Sequence, residues 1–128
     1  SEENWSLFAE LGWLTVPFAE DDGGFGGSAV DLTVMMEEFG KAMLVEPFVA
    51  TAVLCGGLIG AQGSAEQKAD LLPRIMEGKL QLACAYAEPG SRFNLANVKT
   101  SAKTDGDSVV INGSKTAVLN GSNALPWR

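Results

Sequence analysis

Two adjacent carboxylates, Glu37 and Glu38, are the first residues in the chain with the types needed for acid–base work. On a helix, neighbouring side chains point ~100° apart, so this pair does not converge on one substrate and is expected to be a solvated helix face. The run Gly23-Gly24-Phe25-Gly26-Gly27 invites comparison with a phosphate-cradling loop. It follows no strand, carries no Lys-Ser/Thr and lacks the G-x-G-x-x-G spacing, so a tight connection between helices is expected instead. Glu88-Pro89-Gly90 and Asn112-Gly113-Ser114-Lys115 each read, taken alone, as turns. The chain has no histidine, which removes the commonest general base, the usual zinc ligand and any Ser-His-Asp set. Neither a catalytic set nor a metal site is therefore expected among these residues.

The elements that would carry these residues change character midway. Trp5 to Gly12 reads as a short helix with Asn4 as its cap and Gly12 as its stop, Trp5, Phe8, Leu7, Leu11 and Leu14 forming an apolar stripe. Ser28 caps a second helix running to about Leu44, with Val30, Val34, Met35, Phe39 and Met43 at helical spacing. Pro47 opens a third helix, apolar all round and rich in Ala and Gly, which is expected to be buried and closely packed. Ser64 and Gln67 form a capping box before Leu71, Leu72, Ile75 and Met76, and Gly78 closes that fourth helix.

Past Gly78 the period switches. Leu80 to Ala87 suits a strand, and Val98, Thr100, Ala102 and Thr104 alternate with polar residues as in a half-buried strand. Asp105-Gly106 and Asn112-Gly113 are hairpin-type turns, leading into Val109 to Ile111 and Lys115 to Leu119. The class is α+β: an all-helical part over 1–78, then the first antiparallel strands of a second part over 79–128. Three or four strands cannot close a barrel, and the last segment stops at Pro126-Trp127-Arg128, so the second part is expected to be truncated.

Composition narrows the partners. Among 128 residues, 9 Lys and Arg face 16 Asp and Glu, a net charge of −7, which disfavours nucleic acid and anionic membrane surfaces. The longest weakly polar stretch, Pro47 to Ala61, is too short and glycine-rich to span a bilayer. Cys55 and Cys84 form no C-x-x-C and suggest no disulfide scaffold; a reduced, cytoplasmic protein is expected.

In series, these segments resemble the acyl-CoA dehydrogenase family. Val16-Pro17, the glycine loop and Glu37-Glu38-Phe39-Gly40-Lys41-Ala42 are similar to its N-terminal helical domain. Gly63-Ser64-Ala65-Glu66-Gln67-Lys68 with Leu72-Pro73-Arg74-Ile75 resembles the helix before its β domain. Ala87-Glu88-Pro89 resembles its Thr-Glu-Pro turn, and Val98 to Ala102, Ile111 to Lys115 and Asn120-Gly121 its next strands. The resemblance implies a helical domain, a middle β-barrel and a C-terminal four-helix bundle. It also implies removal of an α proton from an acyl-CoA by a carboxylate, with hydride passing to FAD. That carboxylate belongs to the C-terminal domain, so this chain by itself is expected to be inactive.

The departures from the family are specific. The Thr before Glu-Pro, which contacts flavin in the family, is here Ala87; the Gly-Ser-Asp turn is Arg92-Phe93-Asn94; and the Trp-Ile-Thr before Asn-Gly is Ala117-Val118-Leu119. What the resemblance implies is a cofactor-binding set of Tyr86, Ala87, Ala117 and Leu119, with backbone contacts from Tyr86, Ala87 and Leu119 surviving the side-chain changes, and Phe93 at the substrate. These departures, with Pro17 to Gly27 and Val45 to Thr51, resemble the small-subunit class of two-subunit enzymes such as the pimeloyl-CoA type. Two readings follow: part of an FAD-dependent acyl-CoA dehydrogenase, homo- or hetero-oligomeric, or a non-catalytic partner subunit with a degenerate flavin site. A stand-alone binding or structural domain is a third, which the unfinished sheet and the apolar third helix oppose.

Overall fold

A computed structural model describes residues 1–124, and Pro126, Trp127 and Arg128 lie outside the described residues. Helix α1 spans Glu2–Glu10 and is capped by Ser1, whose hydroxyl accepts from the Asn4 N–H, not by Asn4. The Asn4 side chain instead donates to Glu46 Oε1 at 2.8 Å. Trp5, Phe8 and Leu14 are buried as expected, whereas Leu7 and Leu11 are exposed, because positions 7 and 11 fall on the opposite face from 5 and 8. Gly12 takes a left-handed φ of 72°, which ends the helix.

The glycine loop closes back on residues 15–19. Gly26 N–H donates to Phe18 O at 2.7 Å and Gly27 N–H to Val16 O at 2.8 Å. Helix α2 spans Ala29–Lys41, with a full capping box between Ser28 and Asp31. It stops short of Leu44 because Met43 turns to a φ of 51°. Its buried stripe is Leu32, Met35 and Phe39; Val30, Val34 and Met43 face outward, contrary to the stripe read from spacing. Glu37 and Glu38 are exposed and both pair with Lys41, at 3.0 and 2.7 Å, the solvated face expected.

The third helix is a π-helical run over Val49–Gly56 continuing into α3, Gly57–Gln62. Only one of its sides is buried. Ala50, Thr51, Ala52, Cys55 and Gly56 pack inward, while Leu54 and Leu58 are exposed and nothing lies within 4 Å of where a Gly57 or Gly60 side chain would point. The close packing inferred for all its glycines holds only at Gly56, against the Phe18 ring. Helix α4, Ala65–Met76, has the Ser64/Gln67 capping box, and Leu72, Ile75 and Met76 form its buried face. The core joins α1, α2, the π-helical run and α4 through Trp5, Phe8, Phe18, Phe39, Phe48, Leu72 and Ile75. Trp5 Nε1 donates to Gly78 O at 3.0 Å, fastening α1 to the end of α4.

After Gly78 the chain is extended, but the expected ladder over Leu80 to Ala87 does not form. A strand needs a neighbour along its length, and among the described residues this one has only isolated contacts. One is with Thr51, whose hydroxyl donates to Leu82 O at 3.1 Å and accepts from Leu82 N–H at 3.2 Å. Thr51 is fully buried, so replacing it with valine keeps the volume but strips the Leu82 N–H of its acceptor and leaves the Leu82 carbonyl only a long 3.4 Å contact from Asn120 Nδ2. Thr51→Val is expected to lower stability by about 1–3 kcal/mol in urea unfolding of the intact protein.

The regular strands are β1, Ser101–Asp105, and β2, Ser108–Asn112, antiparallel and joined through Gly106-Asp107. The Asp105-Gly106 turn stands as expected. Both strands are exposed along their full length, however, so the half-buried strand inferred from alternation is corrected: a two-stranded hairpin has no layer to pack on. Lys115 to Leu119 likewise forms no strand. The helical part followed by antiparallel strands is nevertheless the α+β arrangement expected.

Candidate functional site

The extended segment ending at Ala87 turns at Glu88-Pro89-Gly90-Ser91. Ser91 N–H and Oγ–H both donate to Glu88 O, at 3.1 and 2.9 Å, and Glu88 N–H donates to Ser91 Oγ at 3.3 Å. Gly90, at a φ of 83°, supplies the left-handed bend. As a turn the motif is what its residues indicate. Its side chain does much more.

Glu88 is 6% exposed, and its carboxylate accepts from two separate stretches of chain, 99–100 and 115. Oε2 takes the Lys99 N–H at 2.7 Å. Oε1 takes the Thr100 N–H at 3.0 Å, the Thr100 hydroxyl at 2.6 Å and the Lys115 ammonium at 2.9 Å. Gly113 fits beside this cluster because a Cβ there would lie 2.2 Å from Thr100 Oγ1. The Asn112-Gly113 bend therefore returns the chain towards Glu88 and does not start another hairpin.

Next to the carboxylate, Ala87 O accepts from the Thr116 N–H at 2.9 Å. Farther along, Asn120 Nδ2 reaches Leu82 O and Gln81 Oε1, both at 3.4 Å. Residues 81–88 and 115–120 thus lie alongside each other. Among the sequence-derived site residues, Tyr86 and Ala87 stand on the first segment, with Ala117 and Leu119 on the second. Tyr86, Ala117 and Leu119 are exposed and Ala87 is half-buried. Ala117 has a left-handed φ of 50°, an uncommon conformation for a residue with a Cβ. Phe93 is fully exposed on the 91–97 loop, and among the described residues no hydrogen bond joins it to the other four.

Glu88, Thr100 and Lys115 are site-forming residues that no sequence motif marks as such. A carboxylate beside a proline at the end of an apolar run carries no local signal pairing it with residues 11, 12 and 27 positions away. Thr100, Lys115 and the Lys99 and Thr100 amides, in that order of effect for the first two, hold the Glu88 carboxyl down at about 2 against an ordinary value of 4.5. Because the folded value lies below the unfolded one, the stabilisation from this group is complete above 4.5 and is lost as pH falls through about 2. Thr100 and Thr116 amide exchange in wild type and Glu88→Gln is expected to differ at neutral pH and to converge towards pH 2.

The groups available for chemistry are few. Burial, with Cys84 nearby adding to it, pushes the Cys55 thiol up to about 11, so it is no nucleophile near neutral pH; both cysteines are free. Among the described residues no cluster of His, Cys, Asp or Glu is arranged to hold a metal, and no helix is long and apolar enough to cross a membrane. What the adjoining segments offer is backbone. Among the described residues, the N–H groups of Tyr86, Ala87, Ala117, Val118 and Leu119 donate to no protein acceptor. Apolar side chains flank them, an arrangement suited to the polar edge of a flat, largely apolar ligand.

Residues 1–79 match the family model described as the acyl-CoA dehydrogenase, N-terminal domain. The chain is 40% identical over 104 residues to acyl-CoA dehydrogenase FadE26 of Mycobacterium tuberculosis, covering 81% of this chain and 26% of that protein. It is similar to the structure of an acyl-CoA dehydrogenase from Geobacillus kaustophilus, with a TM-score of 0.79 and 33% identity, over 97% of this chain and 33% of the other. It is also similar to a chain of the ChsE4-ChsE5 complex from Mycobacterium tuberculosis, with a TM-score of 0.78 and 36% identity, over 90% of this chain and 30% of that one. The chain spans between a quarter and a third of the length of these proteins. With its helices, its hairpin and its sequence all in agreement, the chain belongs to the acyl-CoA dehydrogenase family.

Proposed function

We propose that the intact protein is a flavoprotein dehydrogenase acting on an acyl-CoA thioester, and that residues 86–87 and 117–119 form part of its FAD site. Residues 1–78 are its helical domain and 79–128 the beginning of its β domain. The observation that carries this reading is the pair of adjoining segments whose backbone donors have no protein acceptor among the described residues, in a chain of this family. The residues fit the group in a restricted way: Ala87 and Leu119 offer backbone N–H groups to a ring edge, and Tyr86, Ala117 and Leu119 offer apolar contact. No side chain among Ala87, Ala117, Val118 and Leu119 has a donor. When bound, FAD supplies the hydride acceptor for α,β-dehydrogenation. This chain's residues bind and orient it, and proton removal falls to a carboxylate outside them. Phe93, exposed on its loop, stands towards the acyl-CoA. The proposed location is cytoplasmic, from the cysteine usage alone.

A second reading has a specific observation in its favour. The side chains at 87, 117 and 119 that lack donors, together with the similarity to a chain of a complex named for two proteins, favour a subunit that works beside another dehydrogenase subunit with a degenerate flavin site. The two readings separate in the visible spectrum of the purified intact protein. A yellow protein that dehydrogenates an acyl-CoA with an artificial electron acceptor supports the first. A colourless protein that co-purifies with a second dehydrogenase subunit supports the second, and a colourless monomer inert towards acyl-CoA overturns both.

A further inference from the structure

We propose that Glu88 is a positioning residue for this site: with the Ala87 carbonyl it clamps Lys115-Thr116 and so fixes how residues 117–119 approach residues 86–87. The inference rests on the reading that these segments face a flavin. Two consecutive residues of one segment grip two consecutive residues of the other, Glu88 Oε1 to Lys115 Nζ at 2.9 Å and Ala87 O to Thr116 N at 2.9 Å. The next residue, Ala117, is bent into the left-handed region, a conformation that persists only where its surroundings over-determine it. The Lys99 and Thr100 bonds to the same carboxylate anchor the clamp to the start of the β1–β2 hairpin.

Glu88 cannot itself serve as a base here. Oε1 already accepts three donors and Oε2 one, so protonation would displace a bond from a buried group. Its role is exercised through the segments it holds. Glutamine is nearly the same size but places an NH₂ where one oxygen stood. Whichever way it turns, a donor meets either Lys99 N–H or the Thr100 and Lys115 donors, and the clamp loses both charge and geometry. Thr100→Val is the milder variant, removing only the 2.6 Å hydroxyl bond.

The test uses the intact protein, measuring FAD affinity by titration and amide exchange by mass spectrometry or NMR. Glu88→Gln is expected to weaken FAD binding by on the order of tenfold, and Thr100→Val by less. Thr116 exchange is expected to quicken in the same order, while amides of Ala65–Met76 keep their wild-type rates. Unchanged FAD affinity and unchanged Thr116 exchange in Glu88→Gln would overturn the proposal. So would parallel acceleration in α4, which marks general destabilisation. If the wild type binds no FAD, the flavin reading fails, and the Thr116 exchange comparison alone decides whether the clamp exists.

Discussion

Gly24→Ala is expected to destabilise the intact protein by about 3 kcal/mol, at the upper end of what overpacking ordinarily costs. The added Cβ would stand 2.2 Å from Phe18 O and 2.5 Å from Phe18 C, backbone atoms with no rotamer through which to retreat. That same carbonyl accepts the Gly26 N–H at 2.7 Å, so relieving the clash breaks a bond of the loop. Phe18 is in turn a core residue whose ring fills the space over Gly56, and its displacement disturbs the π-helical run. Gly40 provides the contrast within one chain. It sits in α2 with nothing within 4 Å of a new Cβ, so Gly40→Ala is expected to stabilise by about 0.5–1 kcal/mol. Urea unfolding of both variants beside the wild type checks the sign as well as the size.

Phe48→Ala is expected to cost about 3–5 kcal/mol, the range for truncating a buried aromatic. Phe48 is 1% exposed and meets Phe39 edge-on at a centroid distance of 5.3 Å; Phe39 in turn stacks on Phe8 at 5.0 Å. Removing the ring opens a cavity where α1, α2 and the π-helical run converge. The effect should travel further than stability. Three residues on, Thr51 pins Leu82, and the Leu82 segment leads to Tyr86 and Ala87. Phe48→Ala is therefore expected to quicken Leu82 amide exchange along with lowering the unfolding midpoint. A loss under about 1 kcal/mol would show that the site collapses freely around the missing ring and that the core assigned here is wrong.

The helical half was legible because its signals are local. A Ser three residues ahead of Gln67 satisfies helix donors whatever the rest of the chain does, and Gly12 and Gly78 mark stops by their own backbone freedom. Which face of each helix is buried was less legible. Val30 and Val34 sit at helical spacing, yet Leu32, Met35 and Phe39 are the ones turned inward, since several apolar stripes compete on one helix and only tertiary contact chooses. The strand half fails at the same point for a different reason. Alternation from Val98 to Thr104 encodes a surface meant for a covering layer, and within residues 1–124 no such layer packs on it. The site shows the limit most plainly. Ala87 and Ala117 could be named through family resemblance, but Glu88 gains its meaning from Lys99, Thr100 and Lys115, a meeting that no local pattern announces.

In the proposed site two chain segments, held side by side by Glu88 and Ala87, form a backbone-lined wall for a flavin ring. A structure of the intact protein with FAD tests it directly. The ring edge is predicted to lie within hydrogen-bonding distance of the Ala87 and Leu119 N–H groups, with the Glu88–Lys115 pair intact behind them. A flavin bound elsewhere, or a wall in which residues 115–119 have left Ala87, would contradict it.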